Sequence, residues 1–207
     1  MALVQNPICE FGWKARDFSL KGVDGKSHGL ADARGKNGTL VVFICNHCPY
    51  VKSITGRLVR DAADLKALGV ATIAICSNDA SQYPEDSFEK MAEFARASSF
   101  SFPYLHDADQ NVARAYDAVC TPDFFGFNAK DELQYRGRLD ESKTTPIKGA
   151  RRDLVDFEAE MTLSDLIQID NRLQRMRKEG KKGSELIFME RLHEHLEAGK
   201  PLRTAGL

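Results

Sequence analysis

The sequence predicts an α/β sandwich with a mixed central sheet, followed by an antiparallel pair of helices. Three observations predict it. Strand-like and helix-like stretches alternate through the first 150 or so residues, which is the pattern of a sheet covered by helices. A Cys45-Asn46-His47-Cys48 tetrad falls where one buried strand gives way to a helix. Beyond Leu163 strand signals stop and only helical spacing continues.

The elements follow in order. Thr39 to Ile44 is a short, continuous apolar run with β-branched residues, the signature of a strand buried on both faces. From Tyr50 to Leu68 the spacing turns helical, with Val51, Ile54, Leu58, Ala62 and Leu65 on one side and Gly69 as the stop. Val70 to Cys76 reads as a second buried strand. Pro84-Glu85-Asp86 opens another helix with Phe88, Met91, Phe94 and Ala95 on its apolar side. Phe102 to Leu105 is a short strand and Asn111 to Ala118 a short helix. Asp123 to Phe127 and Leu133 to Leu139 form a hairpin around residues 128–132. In the tail, Leu166, Ile169, Leu173 and Met176 make a helical seam, residues 179–183 break it, and Ser184 caps a second helix carrying Leu186, Met189, Leu192 and Leu196. The expected division is residues 1–155 and 156–207.

Composition narrows the function classes. Hydrophobic residues at 43% and charged residues at 29% are those of a folded globular chain rather than a disordered one. A formal net charge of −1 gives no electrostatic reason to expect nucleic acid as the partner. No apolar run approaches the roughly 18 to 20 residues of a membrane span, and the N-terminus shows no signal core. A cytoplasmic address is the default expectation.

Five cysteines, Cys9, Cys45, Cys48, Cys76 and Cys120, form no even disulfide framework. In a reducing compartment a lone close pair is more often catalytic or metal-binding than structural. A sulfur at a strand–helix junction meets unpaired N–H groups and the positive end of the helix dipole. Cys45 is therefore expected as the low-pKa nucleophile, with Cys48 one turn later as the resolving thiol. His47 adds a further dipole or charge favouring the thiolate. The pair could instead be half of a zinc site, but zinc asks for four ligands and no second pair lies near in sequence, so no metal and no organic cofactor are expected. Cys120 could approach the pair as a third redox thiol, whereas Cys76, ending a buried strand, reads as a small core residue. Thr121-Pro122 opens a strand, which suits either an edge proline or a cis-proline facing the cysteines.

Residues 11 to about 150 resemble the peroxiredoxin-like branch of the thioredoxin superfamily. The stretches that carry the likeness include Ala15-Arg16-Asp17-Phe18, Phe43-Ile44-Cys45-Asn46-His47-Cys48-Pro49-Tyr50, Ser77-Asn78-Asp79, Tyr83-Pro84-Glu85-Asp86-Ser87, Cys120-Thr121-Pro122-Asp123-Phe124-Phe125 and Tyr135-Arg136-Gly137-Arg138. The resemblance implies a thioredoxin-like three-layer sandwich, with Cys45 as nucleophile, Cys48 as resolving thiol and Pro122 as the cis-proline. Three departures stand out. Ile44 holds the place where thioredoxins carry Trp. No carboxylate lies in Thr39 to Ile44, where thioredoxins bury one. Cys45 stands three residues before Cys48, where peroxiredoxins place Thr or Ser. Residues 156–207 resemble the coiled-coil arm of the Obg-like ATPases, on Leu163-Ser164-Asp165-Leu166, Asn171-Arg172-Leu173 and Glu194-His195-Leu196-Glu197-Ala198-Gly199-Lys200-Pro201. The arm brings no nucleotide-binding loop with it.

Three functions are compatible with these features. The leading one is thiol–disulfide exchange on protein thiols and disulfides, with an external thiol reductant. A thiol peroxidase is the second. The third is a non-enzymatic binding or assembly module, including a homo-oligomer, in which Leu166, Ile169, Leu173 and Met176 are buried across a subunit contact.

Overall fold

The computed structural model describes residues 10–142, 144–154, 157–198 and 205; side chains at 157–164 and 167 are not considered. Cys9 and residues 199–201 of the tail motif lie outside the described residues. The chain forms two compact units, Met1–Val155 and Asp156–Leu207.

Unit 1 is built on seven strands: β1 (Ser19–Gly22), β2 (Ser27–Gly29), β3 (Gly38–Phe43), β4 (Val70–Cys76), β5 (Tyr104–His106), β6 (Asp123–Asn128) and β7 (Leu133–Gly137). They lie in the order β2-β1-β5-β4-β3-β6-β7, with β3, β4 and β5 parallel and the remaining pairs antiparallel. The sheet is mixed, as the sequence predicts. β3 is buried along its whole length, which explains its unbroken apolar run.

Side chains of the central strands alternate between two faces. On one face Val41, Phe43, Ile73, Ile75, Phe125 and Phe127 pack with Val112 and Tyr116, the latter two from α3 (Asn111–Ala115) and its C-cap. On the other, α1 (Pro49–Ala67) lies against β4 and buries Val51, Ile54, Leu58, Ala62 and Leu65. Gly69 ends that helix at φ +79°, a backbone region that a β-carbon disfavours. Its near neighbour Asn37 donates through its side-chain amide to the Leu68 carbonyl at 2.7 Å.

Three local readings are corrected. The segment Pro84–Asp86 is a single 3-10 turn, and the helix α2 (Phe88–Ala97) starts only after Ser87, whose hydroxyl accepts from the Lys90 N–H as the N-cap. The helix from Asn111 stops at Ala115, not Ala118. The β1–β2 hairpin, absent from the sequence reading, consists of two short, partly exposed strands with no apolar alternation to betray them.

Unit 2 is a helical hairpin of α4 (Phe157–Lys178) and α5 (Ser184–Glu197). Leu173, Met176, Leu192 and Leu196 are buried, while Leu166, Ile169, Leu186 and Met189 are half-buried. Ion pairs Arg172–Glu185 at 3.2 Å and Arg177–Glu190 at 3.1 Å join the helices. Within the described residues no helix is long and apolar enough to cross a membrane.

Phe127 is fully buried and its ring meets both Trp13 and Tyr116 at 6.0 Å between centroids. Phe127→Ala is expected to lower unfolding free energy by about 3–5 kcal/mol in urea titration; a loss below about 1 kcal/mol would remove this face from the core.

Candidate functional site

The end of β3 delivers the chain to the redox loop. The Ile44 N–H donates to the Ile75 carbonyl at 2.9 Å, and Cys45 follows, only 1% exposed. Cys48 is the N-cap residue of α1, with extended backbone, and Pro49 stands at the first helical position, where its missing N–H costs nothing. Cys48 is 8% exposed.

Thr121 and Pro122 reach the same place from the start of β6. The Thr121–Pro122 bond is cis, the geometry the resemblance implies. Cys45 Sγ lies 3.2 Å from Thr121 Oγ1, and the Cys48 thiol, when protonated, donates to the Thr121 carbonyl at 3.3 Å. The predicted residues Cys45, Cys48, Thr121 and Pro122 are thus assembled at one point.

The two sulfurs are not equivalent. Their mutual hydrogen bond pulls the Cys48 thiol down to about 5, with the backbone N–H groups of Val51 and Tyr50 acting in the same direction. The same hydrogen bond, followed by burial, pushes Cys45 up, and the negative charge of Asp86 adds to this. The sequence reading expects the lowered pKa at Cys45. The helix begins after Cys48, so its first N–H groups, those of Tyr50 and Val51, reach that sulfur and favour its thiolate.

Asp86, to which the sequence assigns no role, is the hub of the loop. It is fully buried. Its Oδ1 accepts from the backbone N–H of Asn46 at 2.7 Å and of His47 at 3.2 Å. Its Oδ2 pairs with His47 Nδ1 at 2.5 Å and accepts from the Asn78 amide at 2.9 Å. Asn46 is held on its other side, donating to the Glu85 carbonyl at 2.7 Å and accepting from the Tyr104 hydroxyl at 3.0 Å. The His47 ring stacks on Tyr83 at 4.3 Å and 3° between planes. Sequence spacing could not reveal this set, since its members come from the ends of β4 and β5, the 3-10 turn and the loop.

Cys45, His47 and Asp86 each place one donor atom within 4.8 Å of the others, the grouping of three His, Cys, Asp or Glu side chains that the described residues offer to a metal. Both Asp86 oxygens and His47 Nδ1 are engaged in the hydrogen bonds above. A cleft of about 1230 Å³ opens beside the loop. Its lining includes His47, Cys48, Tyr83, Cys120, Thr121 and Pro122, but not Cys45. Exposed Tyr50 and Tyr83 stand on its wall. Cys120 shares the cleft, where burial and then the charge of Asp123 push its thiol up to about 11. Cys76 is fully buried in β4 and is pushed up to about 11 by that burial, in keeping with a core residue.

A buried strand, a Cys-x-x-Cys loop capping a helix and a cis-proline opposite it define a dithiol protein of thioredoxin-like fold. The chain belongs to the AhpC/TSA family, whose model matches residues 11–137. It is a thiol redox protein of the oxidoreductase class. An uncharacterized conserved protein from Geobacillus kaustophilus is 45% identical over 71% of this chain and 80% of its own, with a TM-score of 0.68. A hypothetical protein from Sinorhizobium meliloti 1021 is 38% identical over 74% of this chain and 82% of its own, at 0.67. The thioredoxin domain of a thiol-disulfide oxidoreductase from Bacteroides vulgatus is 18% identical over 61% of this chain and 89% of its own, at 0.51, a likeness of fold alone.

With Cys48 near 5, its thiolate fraction is complete at neutral pH and falls only as pH drops through that value. Alkylation of the reduced protein by iodoacetamide is expected to be nearly flat from about pH 6 to 8, to decline below about pH 5, and to place the label on Cys48. Peptide mass spectrometry showing Cys45 labelled first, at a rate climbing up to pH 9, would contradict this assignment.

Proposed function

We propose that the protein carries out thiol–disulfide exchange, with Cys48 as the attacking thiolate and Cys45 as the resolving thiol. The observation that carries the proposal is the asymmetry of the pair. Cys48 lines the cleft at the start of α1, where the first helical N–H groups favour its thiolate, whereas Cys45 is 1% exposed and absent from that lining. This inverts the order of roles that the sequence alone suggests.

The chemistry balances without a cofactor. The Cys48 thiolate attacks one sulfur of a substrate disulfide, and the other sulfur departs as a thiolate. Cys45 then loses its proton and attacks Cys48 Sγ, releasing the second substrate thiol. The two cysteines end as a disulfide, the substrate as two thiols, and an external thiol reductant restores the pair. A partly apolar cleft walled by Tyr50 and Tyr83 suits a polypeptide disulfide better than a small polar one.

Membership of the AhpC/TSA family favours a second reading, reduction of a peroxide by the same thiolate. There Cys48 would become a sulfenic acid and Cys45 would close it to a disulfide with loss of water. Against it stands Cys45 itself, which occupies the place of the Thr or Ser of a peroxiredoxin.

Cys48→Ser is expected to abolish reduction of a protein disulfide, and Cys45→Ser to accumulate a stable mixed disulfide through Cys48, seen by non-reducing electrophoresis and peptide mapping. The opposite outcome, trapping by Cys48→Ser through Cys45, would restore the order read from sequence. Peroxide consumption much faster than disulfide reduction would favour the second reading.

A further inference from the structure

Resolution requires a buried thiol to lose a proton. Cys45 is 1% exposed and absent from the cleft lining, so bulk water does not reach it directly. Its proton needs an acceptor within the protein.

We infer that the His47–Asp86 pair is that acceptor, taking the Cys45 proton as Cys45 attacks the mixed disulfide. The inference rests on the assignment of Cys45 as resolving thiol. One polar atom of each partner lies within 4.8 Å of Cys45 Sγ, a span that a small shift or one water closes. Asp86, with Oδ2 2.5 Å from Nδ1, fixes the imidazole and stabilises the positive charge that a received proton brings. The His47 side chain is 27% exposed and lines the cleft, so the pair has both an inner end against the thiol and an outer end toward the departing group.

Of the other titratable groups nearby, the buried Asp123 carboxylate at the start of β6 is paired with Arg136 at 3.1 Å. Tyr104 from β5 and Cys76 from β4 both feel the Asp86 charge, and burial raises both, keeping them protonated. Cys48 is the sulfur under attack and is bonded to substrate at that moment. The Asp107 carboxylate is committed to the Ser77 hydroxyl and to the N–H groups of Val112 and Ala113.

The step is then explicit. The S–H bond of Cys45 breaks as its proton passes to the imidazole–carboxylate pair. The sulfur electron pair forms the bond to Cys48 Sγ, the Cys48–substrate S–S bond breaks, and the departing thiolate takes the proton back from His47. No outside oxidant or reductant enters beyond the substrate disulfide itself.

A symmetrical aromatic disulfide that releases one coloured thiolate on attack and a second on resolution separates the two steps in a single turnover of the reduced protein. Asp86→Asn and His47→Gln are each expected to slow the second release relative to the first by about tenfold or more. The wild-type second release is expected to depend on pH less steeply than that of the variants. In the variants it should climb by about tenfold per pH unit, because solvent must then ionise the thiol. Near-UV circular dichroism tests whether Asp86→Asn keeps its fold; if it does not, His47→Gln decides, since its backbone still donates to Asp86. Wild-type rate and pH profile for the second release in a folded variant would overturn the inference. Failure of the underlying assignment reads differently: a first release that survives in Cys48→Ser would show that the attacking sulfur had been misassigned.

Discussion

A carboxylate cannot be buried cheaply without its hydrogen bonds, and Asp86 meets that requirement with four donors. Two are backbone N–H groups of the redox loop, one is the His47 imidazole and one the Asn78 amide beyond β4. Satisfying this one group therefore ties the loop to the end of the neighbouring strand. Ile44 is anchored to β4 by its own backbone bond, so the chain has little freedom between the sheet and the first turn of α1. Breaking the carboxylate's contacts would leave either a lone buried charge or four donors without that partner, which is why the arrangement holds as a unit.

From that fixed loop the difference between the sulfurs follows. Cys45 leaves β3 still within the layer of the sheet and is covered. Cys48 falls at the helix start, where Pro49 occupies the first turn and the N–H groups of Tyr50 and Val51 are available to a sulfur. Burial and the Asp86 charge both disfavour a thiolate at Cys45. The sulfur that keeps its negative charge is also the one that lines the cleft. Thr121 touches both sulfurs, one through its hydroxyl and one through its carbonyl, so the start of β6 completes the pocket on the opposite side.

Much of this was legible in the residues. The unbroken run of β3, the helical spacing of Val51 to Leu65 and the glycine stop at Gly69 each carry a local physical signal, and each element appears within a residue or two of its expected place. Cys45, Cys48, Thr121 and Pro122 were legible because short motifs mark them. Asp86 was not, since nothing in Tyr83-Pro84-Glu85-Asp86-Ser87 distinguishes a carboxylate that turns inward from one that faces water. Helix and turn were confused there for a related reason: Pro84 looks like a first helical residue, yet the real cap is Ser87. Which sulfur the first helical N–H groups meet was equally hidden, because it depends on where the helix starts rather than on the order of sulfurs along the chain. The β1–β2 pair escaped notice because half-exposed strands of three or four residues leave no periodicity to read.

The placement of the thiolate at Cys48 is the point on which the mechanism turns. Selective ¹³C labelling of cysteine Cβ in the reduced protein, followed by NMR through a pH titration, reports on each sulfur by itself. Cys48 Cβ is expected to titrate with a midpoint near 5, while Cys45 Cβ keeps its thiol shift past neutrality. A first titration at Cys45, with Cys48 unchanged until alkaline pH, would contradict the assignment and return the attacking role to the earlier cysteine.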